Sequence, residues 1–189
     1  MAQELSREEL LDKIEKEAHD YEYNIHGCSR STLLALQHNL NLGGGDKLAL
    51  AAGPLSGGMG MMGEACGALT GSLMAIGLAM GPRGGQDPND KEGFYRSLAA
   101  GKLFYQRFLE QEGSVLCRHL QARALGRYYP IMEPFGYKGV VEKNVYIKCA
   151  ALVGRVARLA AEFILEQREK DWADAQAENV YPYVFPHAH

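Results

Sequence analysis

The chain has 189 residues, 47% of them hydrophobic, with a net charge of −3 and a pI of about 6.1. That length and apolar fraction suffice to bury a sizeable core in one domain. The acidic balance argues against a nucleic-acid binder, which needs Lys and Arg clustered against phosphate.

The amino terminus is polar and acidic, without the basic start, apolar centre and cleavage site of a secretory signal, so a cytoplasmic location is expected. Ser6 followed by Glu9 reads as a capping box, and Leu10, Leu11, Ile14 and Ala18 repeat at helical spacing, which predicts a helix from Ser6 to about Tyr21. After the break at His26-Gly27, Ser29 to Leu40 forms a second helix with Cys28 at its cap, closed by Gly43-Gly44-Gly45. Asp46 is expected to cap a short helix to about Ala52.

Gly53-Pro54 and the run Ser56 to Gly63 then form a flexible loop leading into a helix that carries Cys66 and ends near Met80. The stretch Ala65 to Met80 is shorter than the roughly 20 residues that span a bilayer and contains Thr70 and Ser72. A core helix is expected there, and no membrane anchor. Asp90 to Glu112 reads as a long amphipathic helix with Phe94, Leu98, Leu103, Phe104 and Phe108, stopped by Gly113. Ser114 is expected to cap a helix with Cys117 as its third residue. Residues 126 to 143 are irregular and aromatic, and Asn144 opens a helix to about Lys170 with Cys149 in its second turn. Arg155, Arg158 and Arg168 on this helix read as a solvated face.

These elements predict an all-α, single-domain bundle of about six helices over residues 1–170. The segment 171–189, ending Tyr181-Pro-Tyr-Val-Phe-Pro-His-Ala-His, is too Pro-rich for a helix and too apolar for a free polar tail. It is expected to pack on its own domain or on a partner subunit, with a homodimer as the assembly.

Cys28, Cys66, Cys117 and Cys149 all fall at or near predicted helix starts, where unpaired N–H groups and the helix dipole favour thiolate over thiol. Gly63, Gly67 and Gly71 recur every four residues and strip one stripe of side chains, so another backbone or a bulky cluster can come close. For a single cysteine a buried, inert role is the commoner one. Four helix-start positions together favour a redox or metal site. The chain has no Cys-x-x-Cys and no Cys-x-x-Cys-His, which excludes a zinc finger, a thioredoxin-type pair and covalently attached haem.

Near these thiols, Thr70 is a candidate donor to sulfur or a helix back-bond, and Ser29 and Ser114 are first of all caps. Glu64 is expected to serve the helix start. His26 and His119 are candidate ligands or proton carriers, most often incidental at such positions. The terminal His187 and His189 usually do nothing in an exposed tail. Met59, Met61 and Met62 suit a soft metal, although filling gaps in the bundle is the better reading.

The order of these residues resembles a known family. Cys28-Ser-Arg-Ser31 is followed by a Gly-Gly-x-Gly loop leading into Cys-Gly-Ala-x-x-Gly (Cys66 to Gly71), then Gly-Ser-x-x-Cys (Gly113 to Cys117), then Cys149 before Leu152-Val153. This pattern, over about residues 24 to 165, is similar to that of the redox-active C_GCAxxG_C_C family. Most members have no assigned reaction, and a similar module in split-Soret cytochrome c accompanies a non-haem iron-sulfur centre. The resemblance therefore implies an iron-sulfur cluster, of 2Fe–2S or similar type, on Cys28, Cys66, Cys117 and Cys149, serving electron transfer or redox sensing with a redox partner protein. The residues themselves leave open a thiol–disulfide oxidoreductase with Cys66 as nucleophile, and a non-enzymatic four-cysteine module holding zinc or a small ligand.

Overall fold

The reciprocal cap closes at the first helix: the Glu9 N–H donates to Ser6 Oγ at 3.3 Å, and the Ser6 N–H donates to the Glu9 carboxylate at 2.8 Å. From it runs α1, Arg7–Ile25. The computed structural model describes residues 5–81, 89–130, 132, 138 and 144–170. Among them the chain forms six further α-helices: α2 (Cys28–Leu40), α3 (Gly45–Ala52), α4 (Gly67–Met80), α5 (Lys91–Glu112), α6 (Cys117–Leu125) and α7 (Val145–Glu169). A 3₁₀ turn at Gly53–Leu55 and one isolated bridge between Ala65 and Leu116 are added to them. Among the described residues the all-α expectation holds, with seven helices where about six are predicted. The tail 171–189 and most of the stretch 131–143 lie outside the described residues.

The longest seam joins α1 to α7, α2 lies against both, and α4 packs on α2, α5 and α7. Ile14, Leu33, Leu69, Ile76, Phe104, Phe108, Val153 and Val156 are fully buried where these helices meet. Each such side chain stabilises the fold by roughly 1.5–3 kcal/mol of apolar burial. On α5 the apolar residues divide: Phe104 and Phe108 enter the core, whereas Phe94, Leu98 and Leu103 are exposed.

Helix ends obey local chemistry with some exchanges of partner. Asp90 caps α5 by accepting from the Gly93 N–H at 2.9 Å, and Gly113 ends it in the left-handed region, φ 68°. The buried Arg96 donates to the carbonyls of Met80 and Gly81 at 3.0 and 3.1 Å, satisfying the carboxyl end of α4. Asp46, by contrast, is no cap; Gly44 opens α3 and Asp46 sits in the first turn, facing the positive helix end. Asn144 occupies the cap position of α7 in a left-handed conformation and makes no side-chain cap bond. The arginines of α7 are clamps between helices. Arg155 pairs with Glu112 at 3.3 Å, Arg158 with Asp12 at 2.6 Å and with Glu8, and Arg168 donates to the Leu40 carbonyl at 3.1 Å.

Candidate functional site

Each cysteine is delivered by a different helix start. Cys28 is the first residue of α2, after Gly27 at φ 94°, and Cys66 is the residue that caps α4. Cys117 is the first residue of α6 and Cys149 lies in the second turn of α7. For Cys117 the expected Ser114 cap is displaced: Leu116 holds the cap position, and Ser114 Oγ accepts from the Leu116 N–H at 3.2 Å.

Two of the starts are tied together by backbone. The Cys66 N–H donates to the Val115 carbonyl at 2.8 Å, and the Cys117 N–H donates to the Glu64 carbonyl at 2.6 Å, one on each side of the bridge between Ala65 and Leu116. The loop before Cys66 is ordered by its own hydrogen bonds. Gly57, Gly58, Met59, Gly60, Met61 and Gly63 all have positive φ, and the N–H groups of Gly60, Gly63 and Glu64 donate back to Pro54, Gly57 and Gly58. A loop so bonded is a shaped turn, where a flexible run is expected from the sequence. Met59 and Met62 are exposed on it, so they plug no gap in the bundle.

The glycines mark where the thiols sit. A Cβ placed on Gly67 would fall closer to the Cys28 Sγ than the 3.0 Å that Cβ atoms keep, and one on Gly58 would lie 2.8 Å from the Cys117 Cβ. On Gly71 it would collide with the Ser29 carbonyl of α2. The glycine stripe thus consists of Gly67 and Gly71, which bring α2 onto α4, while Gly63 lies outside the helix in the loop and makes room for Tyr128.

Electrostatically the four thiols feel one another. Burial pushes Cys28, Cys66 and Cys117 up to about 12, Cys28 being further raised by Glu22 and Cys66, Cys66 by Cys117, and Cys117 by Cys28. Cys149 is raised well above the usual thiol range by burial first, then by Cys28, Glu22, Cys117 and Cys66. Against this, the N–H groups of Gly57 and Ser29 favour the Cys28 thiolate, and those of Ala68 and Leu69 favour that of Cys66. Desolvation and mutual repulsion win. The helix starts therefore do not make free thiolates, contrary to the expectation from position alone; a thiolate here requires a positive counter-charge. Among the described residues, no group of three or more His, Cys, Asp or Glu side chains is arranged to hold a metal ion.

The remaining candidates have other partners. Ser29 Oγ donates to the Ala52 carbonyl at 2.6 Å and meets Ser56 Oγ at 2.8 Å, so it is neither a cap nor a donor to sulfur. Thr70 Oγ1 bonds back to the Gly67 carbonyl at 3.1 Å. Glu64 pairs with Arg118 through its carboxylate, and no side-chain hydrogen bond caps α4. His26 Nδ1 lies 2.9 Å from the Glu22 carbonyl with its ring stacked on Tyr146, centroids 4.0 Å apart. His119 lies 3.2 Å from Ser114 Oγ. His187 and His189 fall outside the described residues.

Glu22 has no place among the candidates read from the sequence. It lies on α1 at the buried positions Leu11, Ile14, Ala18 and Glu22, so a carboxylate on an apolar stripe is the available signal. Ser31 Oγ donates to it at 3.3 Å, and burial raises it to about 7. Its folded value exceeds its unfolded value of about 4.5, so the folded state binds more protons between the two. The stability this adds is complete below about pH 4.5 and is lost as pH rises through about 7, roughly 3 kcal/mol in all. Glu22→Gln is accordingly expected to match the wild type at pH 5 and to be more stable by roughly 1–3 kcal/mol at pH 8. Denaturant titrations of metal-free protein at the two pH values check it, and equal midpoint differences at both would contradict it.

A family model described as "Putative redox-active protein (C_GCAxxG_C_C)" matches residues 26–163, which contain all four cysteines, and the chain belongs to that family. No curated protein and no solved structure matches it. Among the described residues, no helix is long and apolar enough to cross a membrane.

Proposed function

We propose that this redox-active family member holds an iron-sulfur cluster, of 2Fe–2S type, on Cys28, Cys66, Cys117 and Cys149, and exchanges electrons with a partner protein or senses its redox surroundings. What supports this most is that backbone bonds tie the Cys66 and Cys117 helix starts together, Gly67 lets the Cys28 sulfur in beside them, and each of the four thiols is within electrostatic reach of at least one other. An all-thiolate donor set suits iron-sulfur chemistry. The glycines at Gly58 and Gly67 leave space beside Cys117 and Cys28 that any side chain would fill.

When bound, the cluster supplies one-electron transfer. The chain's own part is to neutralise and enclose. Iron would provide the positive charge that these buried thiols need in order to ionise, and four protons would leave the sulfurs on loading. The N–H groups of Gly57, Ser29, Ala68 and Leu69 already point to where negative charge on Cys28 and Cys66 would develop. Hydrogen bonds of this kind to sulfur set the reduction potential. Partial exposure of Cys28, Cys117 and Cys149, beside a buried Cys66, leaves a route for electrons to the surface.

Single replacements Cys28→Ser, Cys66→Ser, Cys117→Ser and Cys149→Ser are expected to lower bound iron per chain at least several-fold in protein purified without oxygen. Retention of full iron content by all four variants would sink the reading.

A further inference from the structure

Helix α5 carries a second apolar seam that faces away from the core. Its inner side is Arg96, Ala100, Phe104 and Phe108, all buried. On the opposite side Lys91, Tyr95, Leu98, Lys102, Tyr105 and Leu109 recur at alternating spacings of four and three, the pattern of a helix that expects a partner. Tyr95, Leu98, Tyr105 and Leu109 are 41–47% exposed, and the adjacent Phe94 is 53% exposed. A run of large apolar side chains along one helix face marks a docking surface.

The course of the chain brings a candidate occupant to this face. Helix α7 runs antiparallel to α5: Arg155 pairs with Glu112, and farther along the Phe163 ring lies 5.6 Å from that of Phe104. Near its end Glu166 pairs with Arg107 of α5 at 2.7 Å, so the chain leaves α7 within reach of α5 and its exposed Phe94, Tyr95 and Leu98. The 19 residues that follow Lys170 hold Trp172, Tyr181, Tyr183 and Phe185, together with three carboxylates and no Lys or Arg. At about 3.3 Å per extended residue they can run the whole length of α5, about 33 Å at 1.5 Å per helical residue. Two copies of the seam packed in parallel register, or antiparallel about Lys102 itself, would set Lys102 against Lys102. The acidic tail would meet Lys91 and Lys102 with opposite charge.

We infer that the outer face of α5 is the docking site of the chain's own segment 171–189, its aromatic side chains covering Tyr95, Leu98, Tyr105 and Leu109. The segment lies outside the family match, and α5 lies within it. Trp172 is the only tryptophan, so its fluorescence reports on the segment directly. In the full chain, monomeric by light scattering, Trp172 should emit at short wavelength and resist acrylamide quenching several-fold relative to a free tryptophan. The double variant Leu98→Glu/Tyr105→Glu, and separately Tyr183→Ser/Phe185→Ser, should both lose that protection with helix content unchanged. A water-like Trp172 in the wild type, or protection untouched by both variants, would overturn the inference. So would protection that disappears on dilution together with a dimer-to-monomer transition, which would assign the face to a second copy and restore the homodimer expectation.

Discussion

Gly71→Ala is expected to destabilise the protein by about 3 kcal/mol, while Gly77→Ala, farther along the same helix, is expected to stabilise it by about 1 kcal/mol. Helix propensity alone favours alanine at both positions. Their surroundings set the signs. A Cβ on Gly77 meets nothing within 4 Å, whereas one on Gly71 runs into the carbonyl, carbon and Cα of Ser29, all backbone atoms of α2. Backbone cannot swing aside as a side chain can, so α2 must withdraw from α4. That withdrawal opens the core between Leu33, Leu36 and Leu69. It also carries Cys28 away from Cys66, because Cys28 and Ser29 are consecutive in α2. Denaturant unfolding of the two variants checks the signs, and a stabilised Gly71→Ala would contradict the close crossing of α2 and α4.

The second large effect concerns the thiols themselves. In metal-free protein at pH 7.5, Cys28, Cys66 and Cys117 are expected to alkylate about a thousandfold more slowly than an unperturbed thiol. Burial and mutual repulsion lift them to about 12 from 9.0, so the reactive thiolate is rarer by about three powers of ten. The pH dependence has a definite sign. Labelling should climb about tenfold per pH unit from pH 7 to pH 11 without levelling, whereas an unperturbed thiol levels off above about pH 9. Iodoacetamide labelling followed by mass analysis gives the rate at each site. Rapid labelling of Cys66 at pH 7.5 would contradict this and would favour a thiol–disulfide enzyme, since the attacking thiol of such enzymes titrates near ambient pH.

Most of the fold is legible because its signals are local. The Ser6–Glu9 box, the Asp90 cap and Gly113 each act within one helical turn, and the structure uses all three. The four cysteines are likewise readable as helix-start residues, since Gly27, the glycine loop and Gly113 punctuate the chain just ahead of three of them. What escapes is everything set by tertiary packing. Position at a helix start says that a thiolate is welcome; only the packed structure shows that enclosure by other helices, Glu22 and the neighbouring sulfurs reverse the balance. Ser29 reads as a cap by its place in sequence and is drawn to Ala52 and Ser56 by the crossing of α2 with the loop. Arg158 reads as solvated, but the α1–α7 seam brings Asp12 and Glu8 to it. The left-handed turns at Met59 and Met61 have no sequence signal beyond the glycines around them.

The most direct test of the cluster is the iron and acid-labile sulfide content of protein purified without oxygen, read together with its visible absorption. Iron and sulfide in equal amounts are expected, with thiolate-to-iron bands that bleach on reduction. Zinc alone, or a colourless chain with no metal and four free thiols, would contradict it.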